Sequence, residues 1–374
     1  MADSSQRSVL LEFARRLPKV ELHAHLHGCI RAETIHDLSA ARGVNISPEQ
    51  HRVLVAPEGN RSLSDCFVVF DAIHSVVSDL PAVRRIALEA LEDMQRNNVR
   101  YAELRTTPRA LPDGASRREY VVTVLRAFRE FEDTTQQACL SGIAECSTTD
   151  ICEDKRLPAL IPRLLLSVDR GRSSEEAIEV AALAMQLRED EQWKPYVVGM
   201  DFSGNPTKGS FEDFRPAFDL ARKGGLKVTA HCGEVSNDDE FMAVIDFRPE
   251  RLGHAVVLGK EVRDALLALT PRIPIEVCPT SNFLTLALAH HGEHPTVRGW
   301  IKEGYPFSVN TDDPGVFETD LPTEFVRLAS SHEIDRDGMA RLACRAVQDI
   351  FDEELLPSLA ESFRKECEAL TGHA

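Results

Sequence analysis

The feature that most constrains the fold of this chain is a series of eight short apolar segments, each ending in polar or small residues. Most are rich in Val, Leu or Ile, and a helical pattern follows most of them. Apolar strands that alternate with helices are typical of a parallel sheet, and eight such units form a (β/α)8 TIM barrel. The predicted strands are residues 20–27, 101–107, 164–169, 197–203, 227–234, 251–256, 274–280 and 306–312.

Two stretches are longer than simple strand–helix units require. About 70 residues with a helical pattern separate the first two strands, which is more than one crossover helix needs. We therefore expect a helical insertion near the barrel mouth, including an apolar-faced helix over residues 64–78. Residues 322–370 are expected to form two or more helices after the last strand. No low-complexity tract or Gly/Ser linker interrupts the pattern, so residues 1–374 are expected to form one domain.

Charge and composition limit the kinds of molecule that this chain is expected to bind. The net charge of −17 argues against general binding to nucleic acid or to acidic membranes. No apolar run approaches 18 residues, so no transmembrane helix is expected, and the first 20 residues lack the apolar core of a signal peptide. The nine cysteines are scattered without a CxxC pair, which favours reduced thiols and a cytoplasmic location. We expect a monomer that acts on a small molecule.

The first predicted strand contains two histidines, His23 and His25, separated by one residue. Side chains alternate between the faces of a strand, so both imidazoles point the same way. Two imidazoles on one face can bind a single metal ion, and they can equally form a hydrogen-bonded pair without a metal. The spacing alone leaves both interpretations open.

The ends of two further strands favour a metal site over a hydrogen-bonded pair of histidines. The fifth predicted strand carries His231 near its end, and the eighth ends at Asp312. The carboxyl ends of barrel strands meet on one face, so these residues are expected to join His23 and His25 there. Three neutral imidazoles and one carboxylate suit zinc and leave a position for water. We therefore predict one Zn²⁺ per chain.

Three other polar residues at these strand ends suit catalysis: Glu234, His254 and Asp313. Zinc lowers the pKa of a bound water from 15.7 toward ~7 and so supplies hydroxide at neutral pH. Glu234 can protonate a ring nitrogen of the substrate, and His254 can orient the hydroxide and stabilise its charge. Asp313, beside a predicted ligand, can accept or share a proton on the substrate.

Four sequence segments carry a specific resemblance. VELHAHLHG, HCGE, RLGHA and NTDDPGVF occur in this order across nearly the whole chain and resemble the adenosine deaminase family. The resemblance implies a barrel of the metal-dependent hydrolase type, one zinc ion and hydrolytic deamination of a 6-aminopurine. It also implies that His23, His25, His231 and Asp312 are the metal ligands.

The same resemblance assigns roles to the other residues. Glu234 matches the proton donor, His254 the residue that positions the hydroxide, and Asp313 the partner of the purine edge. Gly204 matches a glycine whose backbone approaches the base, although a left-handed turn after a strand also explains it. His25 is expected both to bind the metal and to contact the substrate.

One motif departs from the adenosine enzymes of the family. Where they carry HLDG, with an aspartate that contacts the ribose 5′-hydroxyl, this chain has His27 in HLHG. A carboxylate there would repel a 5′-phosphate, whereas a histidine can donate a hydrogen bond to it. This feature is similar to the branch of the family that acts on N6-methyl-AMP, giving IMP and methylamine. That branch usually has an asparagine here, so His27 differs from both groups.

The second and third strand ends support an anionic substrate. Thr106, Thr107, Pro108 and Arg109 offer two hydroxyls and a guanidinium as a phosphate cradle. Arg109 can equally be solvated or paired with Asp113. The remaining expected substrate contacts are His74, which can also be a plain helix-face histidine, and Asp169, which can instead pair with Arg170 or Arg105.

The main alternative is the same chemistry on adenosine or AMP, giving inosine or IMP and ammonia. A catalytically inactive purine-binding protein is a second alternative, although no predicted ligand or acid has been lost. Two-metal lactonases and phosphotriesterases usually carry a bridging lysine at the fourth strand, and residues 197–206 contain none. The PCxxC motif of cytidine-type deaminases is absent as well.

Overall fold

The computed structural model describes residues 4–44, 63–141 and 160–372. Eight parallel strands form one sheet in chain order, which confirms the predicted barrel. The strands are β1 (Lys19–His25), β2 (Val99–Thr106), β3 (Ile161–Asp169), β4 (Val197–Ser203), β5 (Lys227–Cys232), β6 (Arg251–His254), β7 (Ile275–Val277) and β8 (Phe307–Val309).

The barrel closes at the predicted metal ligands. β1 and β8 meet through an isolated bridge between Ala24 and Asp312. The His25 amide donates to the Asp312 carbonyl at 2.9 Å, and the Asp312 amide donates to the His23 carbonyl at 2.8 Å. The same backbone bonds that complete the barrel therefore hold Asp312 beside both histidines of β1.

Fourteen helices surround the strands in the described residues. They are α1 (Ser4–Arg16), α2 (Ala32–Arg42), α3 (Leu63–Val76), α4 (Leu80–Arg96), α5 (Arg117–Ser141), α6 (Ser174–Glu189), α7 (Phe211–Lys223), α8 (Asp238–Phe247), α9 (Lys260–Ala268), α10 (Pro279–Thr285), α11 (Val297–Lys302), α12 (Leu321–His332), α13 (Arg336–Ala346) and α14 (Leu356–Thr371). None of these described helices is long and apolar enough to span a membrane.

The predicted additions to the barrel are present. α2 and α3 lie between β1 and α4, and α3 matches the helix expected over residues 64–78. Residues 45–62 of this stretch lie outside the described residues. After β8, α12, α13 and α14 form the expected C-terminal helices.

Several strands end earlier than predicted. β5 stops at Cys232, and β6 stops at His254 rather than at residue 256. The physical reason is backbone conformation: Gly233 has φ 68°, and His254 and Ala255 have φ 61° and 51°. Residues in the left-handed region cannot continue a strand. After β6 the apolar pattern continues beyond the strand because Ala255 and Val256 are also buried.

Packing of β4 against α7 determines which side chains of β4 point into the barrel. The Phe202 ring packs against Phe211, Phe214 and Phe218 of α7, with ring centroids 5.3, 5.5 and 5.8 Å away. Burial of each such side chain stabilises the fold by roughly 1.5–3 kcal/mol. Because strand side chains alternate, the outward Phe202 places its neighbour Asp201 inward, toward the barrel axis.

Candidate active site

Strands β1, β5 and β8 bring the four predicted ligands together. Donor atoms of His23, His25, His231 and Asp312 all lie within 4.8 Å of one another. His25 Nε2 is 3.1 Å from His231 Nε2, and Asp312 Oδ1 is 3.3 Å from the Nε2 atoms of both His23 and His25. His23 Nε2 is buried and has no hydrogen-bond partner within the described part of the chain. A nitrogen held this way, in a set of three imidazoles and one carboxylate, fits a metal ion.

Two carboxylates fix the orientation of two of the predicted histidine ligands through the ring nitrogen that does not face the metal position. His23 Nδ1 lies 2.6 Å from Glu276 Oε2, and His231 Nδ1 lies 3.0 Å from Asp201 Oδ1. An imidazole that donates through Nδ1–H keeps the lone pair of Nε2 free for a metal ion. Sequence analysis missed Glu276 and Asp201, although each is a lone acidic residue inside an otherwise apolar strand, the signal that could have identified them.

Glu276 is also the centre of a buried charge network. It accepts hydrogen bonds from Arg105 at 2.9 Å, Arg251 at 2.6 Å and Thr229 at 2.9 Å. Burial opposes ionisation, but the two guanidinium groups hold the pKa of Glu276 well below its usual range. Arg105, fully buried, also pairs with Asp201 at 3.1 Å, so it supports the metal ligands rather than the outer cleft.

Glu234 has the properties of a proton donor. Its carboxyl group lies 3.9 Å from His254 Nε2. Burial raises its pKa, and the Asp312 charge adds to the effect although the nearby His231 opposes it. A carboxyl group with a raised pKa holds its proton nearer to neutral pH, where it can transfer it.

Asp313 is held in an environment that favours its neutral form. Burial raises the pKa of Asp313 well above its usual range, and the charges of Asp312 and Glu234 raise it further. Its Oδ1 is buried and has no hydrogen-bond partner among the described residues. Gly28 makes room for this side chain, since a Cβ there would lie 1.8 Å from Asp313 Oδ1. The carboxyl group is therefore available to a substrate.

A cavity of about 530 Å³ extends outward from the metal ligands. This volume suits a small-molecule ligand. Every residue expected to contact substrate lines it: His25, His27, His74, Thr106, Thr107, Pro108, Arg109, Asp169, Gly204, Glu234 and Asp313. Gly204 has φ 99°, and a Cβ there would lie 2.3 Å from Asp169 Oδ1, so the turn itself requires glycine.

The structure gives His27 a different role from the expected donor to an anion. Arg109 Nη2 donates to His27 Nε2 at 2.9 Å, and His27 Nδ1 lies 3.5 Å from the Tyr120 hydroxyl. Burial lowers the pKa of His27 well below its usual range, and the nearby Arg109 charge lowers it further. His27 is thus a neutral acceptor that orients the Arg109 guanidinium.

Arg109 is only partly open to solvent and is not paired with Asp113. It is half-buried, and its second hydrogen bond goes to the Val77 carbonyl at 3.0 Å. Asp113 instead accepts from the Ala115 amide at 3.0 Å and closes its own turn. Within the described residues, the hydrogen-bond partners of Arg109 are both uncharged.

Asp169 also differs from its expected alternatives. It pairs with neither Arg170 nor Arg105: one oxygen accepts from the Gly171 amide at 2.8 Å, and the other lies 3.6 Å from Arg172 Nε. Arg170 binds Glu240 at 2.6 Å instead. The short loop after β3 explains the change, because it turns Asp169 onto its own backbone.

Two cations in the cavity wall were missed by sequence analysis. Arg172 and Lys208 line the cavity together with Arg109. Burial lowers the pKa of Arg109, and the charge of Arg172 lowers it further. The two guanidinium groups are therefore close enough to repel each other. The position of Arg172 and Lys208 shortly after the ends of β3 and β4 was the available sequence signal.

The closed barrel and the His/Asp cluster at the carboxyl ends of its strands define the class of this protein, a metal-dependent hydrolase of the (β/α)8 type. The family model described as adenosine deaminase matches residues 18–357. The chain belongs to the adenosine deaminase family.

Relatives are similar over nearly their full length. The chain is 34% identical to the N6-mAMP deaminase of Arabidopsis thaliana, covering 92% of this chain and 95% of the relative. It is 32% identical to the N6-methyl-AMP deaminase of Danio rerio, covering 91% and 92%. The crystal structure of Arabidopsis ADAL complexed with IMP superimposes with a TM-score of 0.81 at 33% identity, covering 97% of this chain and all of that one.

Proposed function

We propose that this protein is a zinc-dependent deaminase that converts N6-methyl-AMP and water to IMP and methylamine. The observation that carries the proposal is the cavity that joins the His/Asp cluster to Arg109. One end suits hydrolysis at a purine, and the other offers a half-buried cation whose described hydrogen-bond partners are uncharged. A 5′-monophosphate supplies the missing anion. The names of the Arabidopsis and Danio relatives support the same substrate.

The residues around the metal site divide the chemistry among them. His23, His25, His231 and Asp312 would hold one zinc ion. Zinc in such a site acts as a Lewis acid that activates water at neutral pH. Glu234 gives a proton to the ring nitrogen next to the attacked carbon, so that the developing negative charge is neutralised. Asp313, in its neutral form, donates to an acceptor on the other edge of the purine, and the Gly204 backbone lies against the base.

The outer residues select the monophosphate. Arg109 binds the phosphate, and His27 orients the guanidinium group for that contact. Arg172, which lies 3.6 Å from Asp169, and Lys208 also line the cavity, as do Thr106, Thr107 and Pro108. His74 lies with its ring centroid 5.1 Å from that of His27 and helps to fix it.

Arg109→Ala is expected to lower kcat/KM for monophosphates by ~10- to 10³-fold and to affect nucleosides much less. Charge-assisted hydrogen bonds contribute roughly 1.5–3 kcal/mol each, and the variant removes one or two of them. Steady-state rates on AMP, N6-methyl-AMP and adenosine measure the effect. Arg84→Ala is the matched control, because this exposed arginine pairs with Glu130 on the surface.

A second variant introduces a negative charge beside Arg109. His27→Asp places a carboxylate where the guanidinium now binds a neutral ring, so it should pair with Arg109 and repel a phosphate. Preference should shift toward nucleosides. Equal losses on nucleosides and monophosphates in both variants would contradict the phosphate assignment.

The proposal extends to the domain organisation, the oligomeric state and the cellular location of the protein. We place residues 1–374 in one domain that acts as a cytoplasmic monomer. Six cysteines are free thiols, which suits a reducing compartment: Cys29, Cys66, Cys232, Cys278, Cys344 and Cys367. In the described residues, the exposed large hydrophobic side chains are the isolated Val9, Ile178 and Ile301, which suits a monomer.

A further inference from the structure

A chain of hydrogen bonds reaches His254 from outside the metal cluster. His254 Nδ1 is 3.0 Å from Asn282 Nδ2, and Asn282 Oδ1 is 3.1 Å from His294 Nε2. All three side chains are buried. Asn282 lies in α10, whereas His294 lies in the segment between α10 and α11.

The backbone fixes the direction of this chain. The amides of Thr296 and Val297 both point at His294 Nδ1, each at 3.4 Å. A backbone N–H can only donate, so this nitrogen must be the acceptor. Burial lowers the pKa of His294 to about 3, and the charges of His332 and His291 lower it further, so the ring is neutral at physiological pH. Its single proton therefore sits on Nε2.

Each following bond then has one direction. His294 Nε2–H donates to the Asn282 carbonyl oxygen, which turns the amide nitrogen of Asn282 toward His254. That nitrogen donates to His254 Nδ1, so a neutral His254 carries its proton on Nε2. This Nε2 is the atom that lies 3.9 Å from Glu234 Oε1, on the side of the cavity.

We propose that Asn282 and His294 are positioning residues that select the Nε2–H tautomer of His254. An N–H at this place donates to the oxygen of the attacking water and leaves an oxygen lone pair directed at the purine. The opposite tautomer would present a bare nitrogen, which can only accept an O–H from the water and offers no donor to its oxygen. The catalytic consequence rests on the deaminase function proposed above, whereas the tautomer itself does not.

The tautomer is measured directly on the zinc-loaded protein. Histidines labelled with ¹⁵N in the ring distinguish a protonated nitrogen from a bare one in NMR spectra, and the His254→Asn variant assigns the His254 signals. The wild type is expected to show a proton on Nε2 of His254 and on Nε2 of His294. A His254 ring protonated at Nδ1 would overturn the proposal.

Asn282→Asp reverses the hydrogen bond without changing the size of the side chain. A carboxylate can only accept, so the His254 proton should move to Nδ1. We expect kcat to fall by ~10²-fold or more, by analogy with a wrong tautomer in a catalytic triad, while KM and zinc content change little. Unchanged kcat with the proton on Nδ1 would refute the catalytic role of the tautomer, and a proton that stays on Nε2 would refute its selection by Asn282.

A pair of variants at His294 tests the same chain if Asn282→Asp does not fold. His294→Gln keeps an N–H close to the position of Nε2 and should stay within about 10-fold of wild-type turnover. His294→Leu removes the donor and should lose more than Gln does, with mixed tautomers at His254. Equal turnover in the two variants would contradict the relay. A wild type protonated at Nε2 that releases neither ammonia nor methylamine would refute the proposed function and leave the tautomer selection supported.

Discussion

Glu234→Gln is expected to lose at least ~10²-fold in kcat while it binds as much metal as the wild type. Glutamine keeps the size of the side chain and one hydrogen-bond donor, but it has no proton to give to a purine nitrogen. The buried Glu234 carboxyl, whose pKa is raised, supplies that proton in the wild type. Single-turnover rates and metal content measure the two effects separately.

The matched control is Glu212→Gln. Glu212 lies on the surface of α7 and pairs with Arg215, so the same chemical change there should leave both rate and metal content at wild-type values. Near-normal turnover of Glu234→Gln would remove Glu234 from the mechanism. Loss of the metal together with the rate would instead identify Glu234 as a ligand.

Asp312→Ala is expected to lower both metal affinity and turnover. Asp312 is the one carboxylate among the four proposed ligands, and its Oδ1 lies 3.3 Å from two of the ligand nitrogens. Groups that only hold metal ligands in place cost ~10- to 100-fold in affinity or activity when removed, and a direct ligand should cost at least as much. Elemental analysis after dialysis against a range of free zinc concentrations measures the loss.

The exposed Asp246 provides the control for this charge removal. Asp246→Ala, on α8, should bind zinc and turn over substrate as the wild type does. An Asp312→Ala variant with full activity and no bound metal would refute the ligand assignment. Unaltered metal affinity would place a different residue in the fourth position.

The strand ends explain why so much of the site could be predicted from sequence. In a parallel barrel all carboxyl ends lie on one face, and alternation fixes which side chains point inward. His23, His25, His231 and Asp312 therefore had to be neighbours once the eight strands were recognised, and the structure brings their donor atoms within 4.8 Å.

The supporting residues could not be predicted in the same way. Glu276 meets His23 across the barrel, 253 positions along the chain, and no local pattern encodes that pairing. Arg109 and His27 were both expected to contact phosphate, but their mutual hydrogen bond depends on how the loop after β2 packs against the turn after β1. Such contacts depend on the assembled fold rather than on periodicity.

The proposed substrate and metal dependence are tested together when the wild-type protein is offered N6-methyl-AMP, AMP and adenosine side by side, after metal removal and again after zinc is restored. We expect that zinc restores activity, that IMP and methylamine are released from N6-methyl-AMP, and that this substrate has the highest kcat/KM. An equal or higher kcat/KM on adenosine would contradict the proposed substrate and favour an adenosine deaminase, and activity that persists without metal would contradict the proposed chemistry.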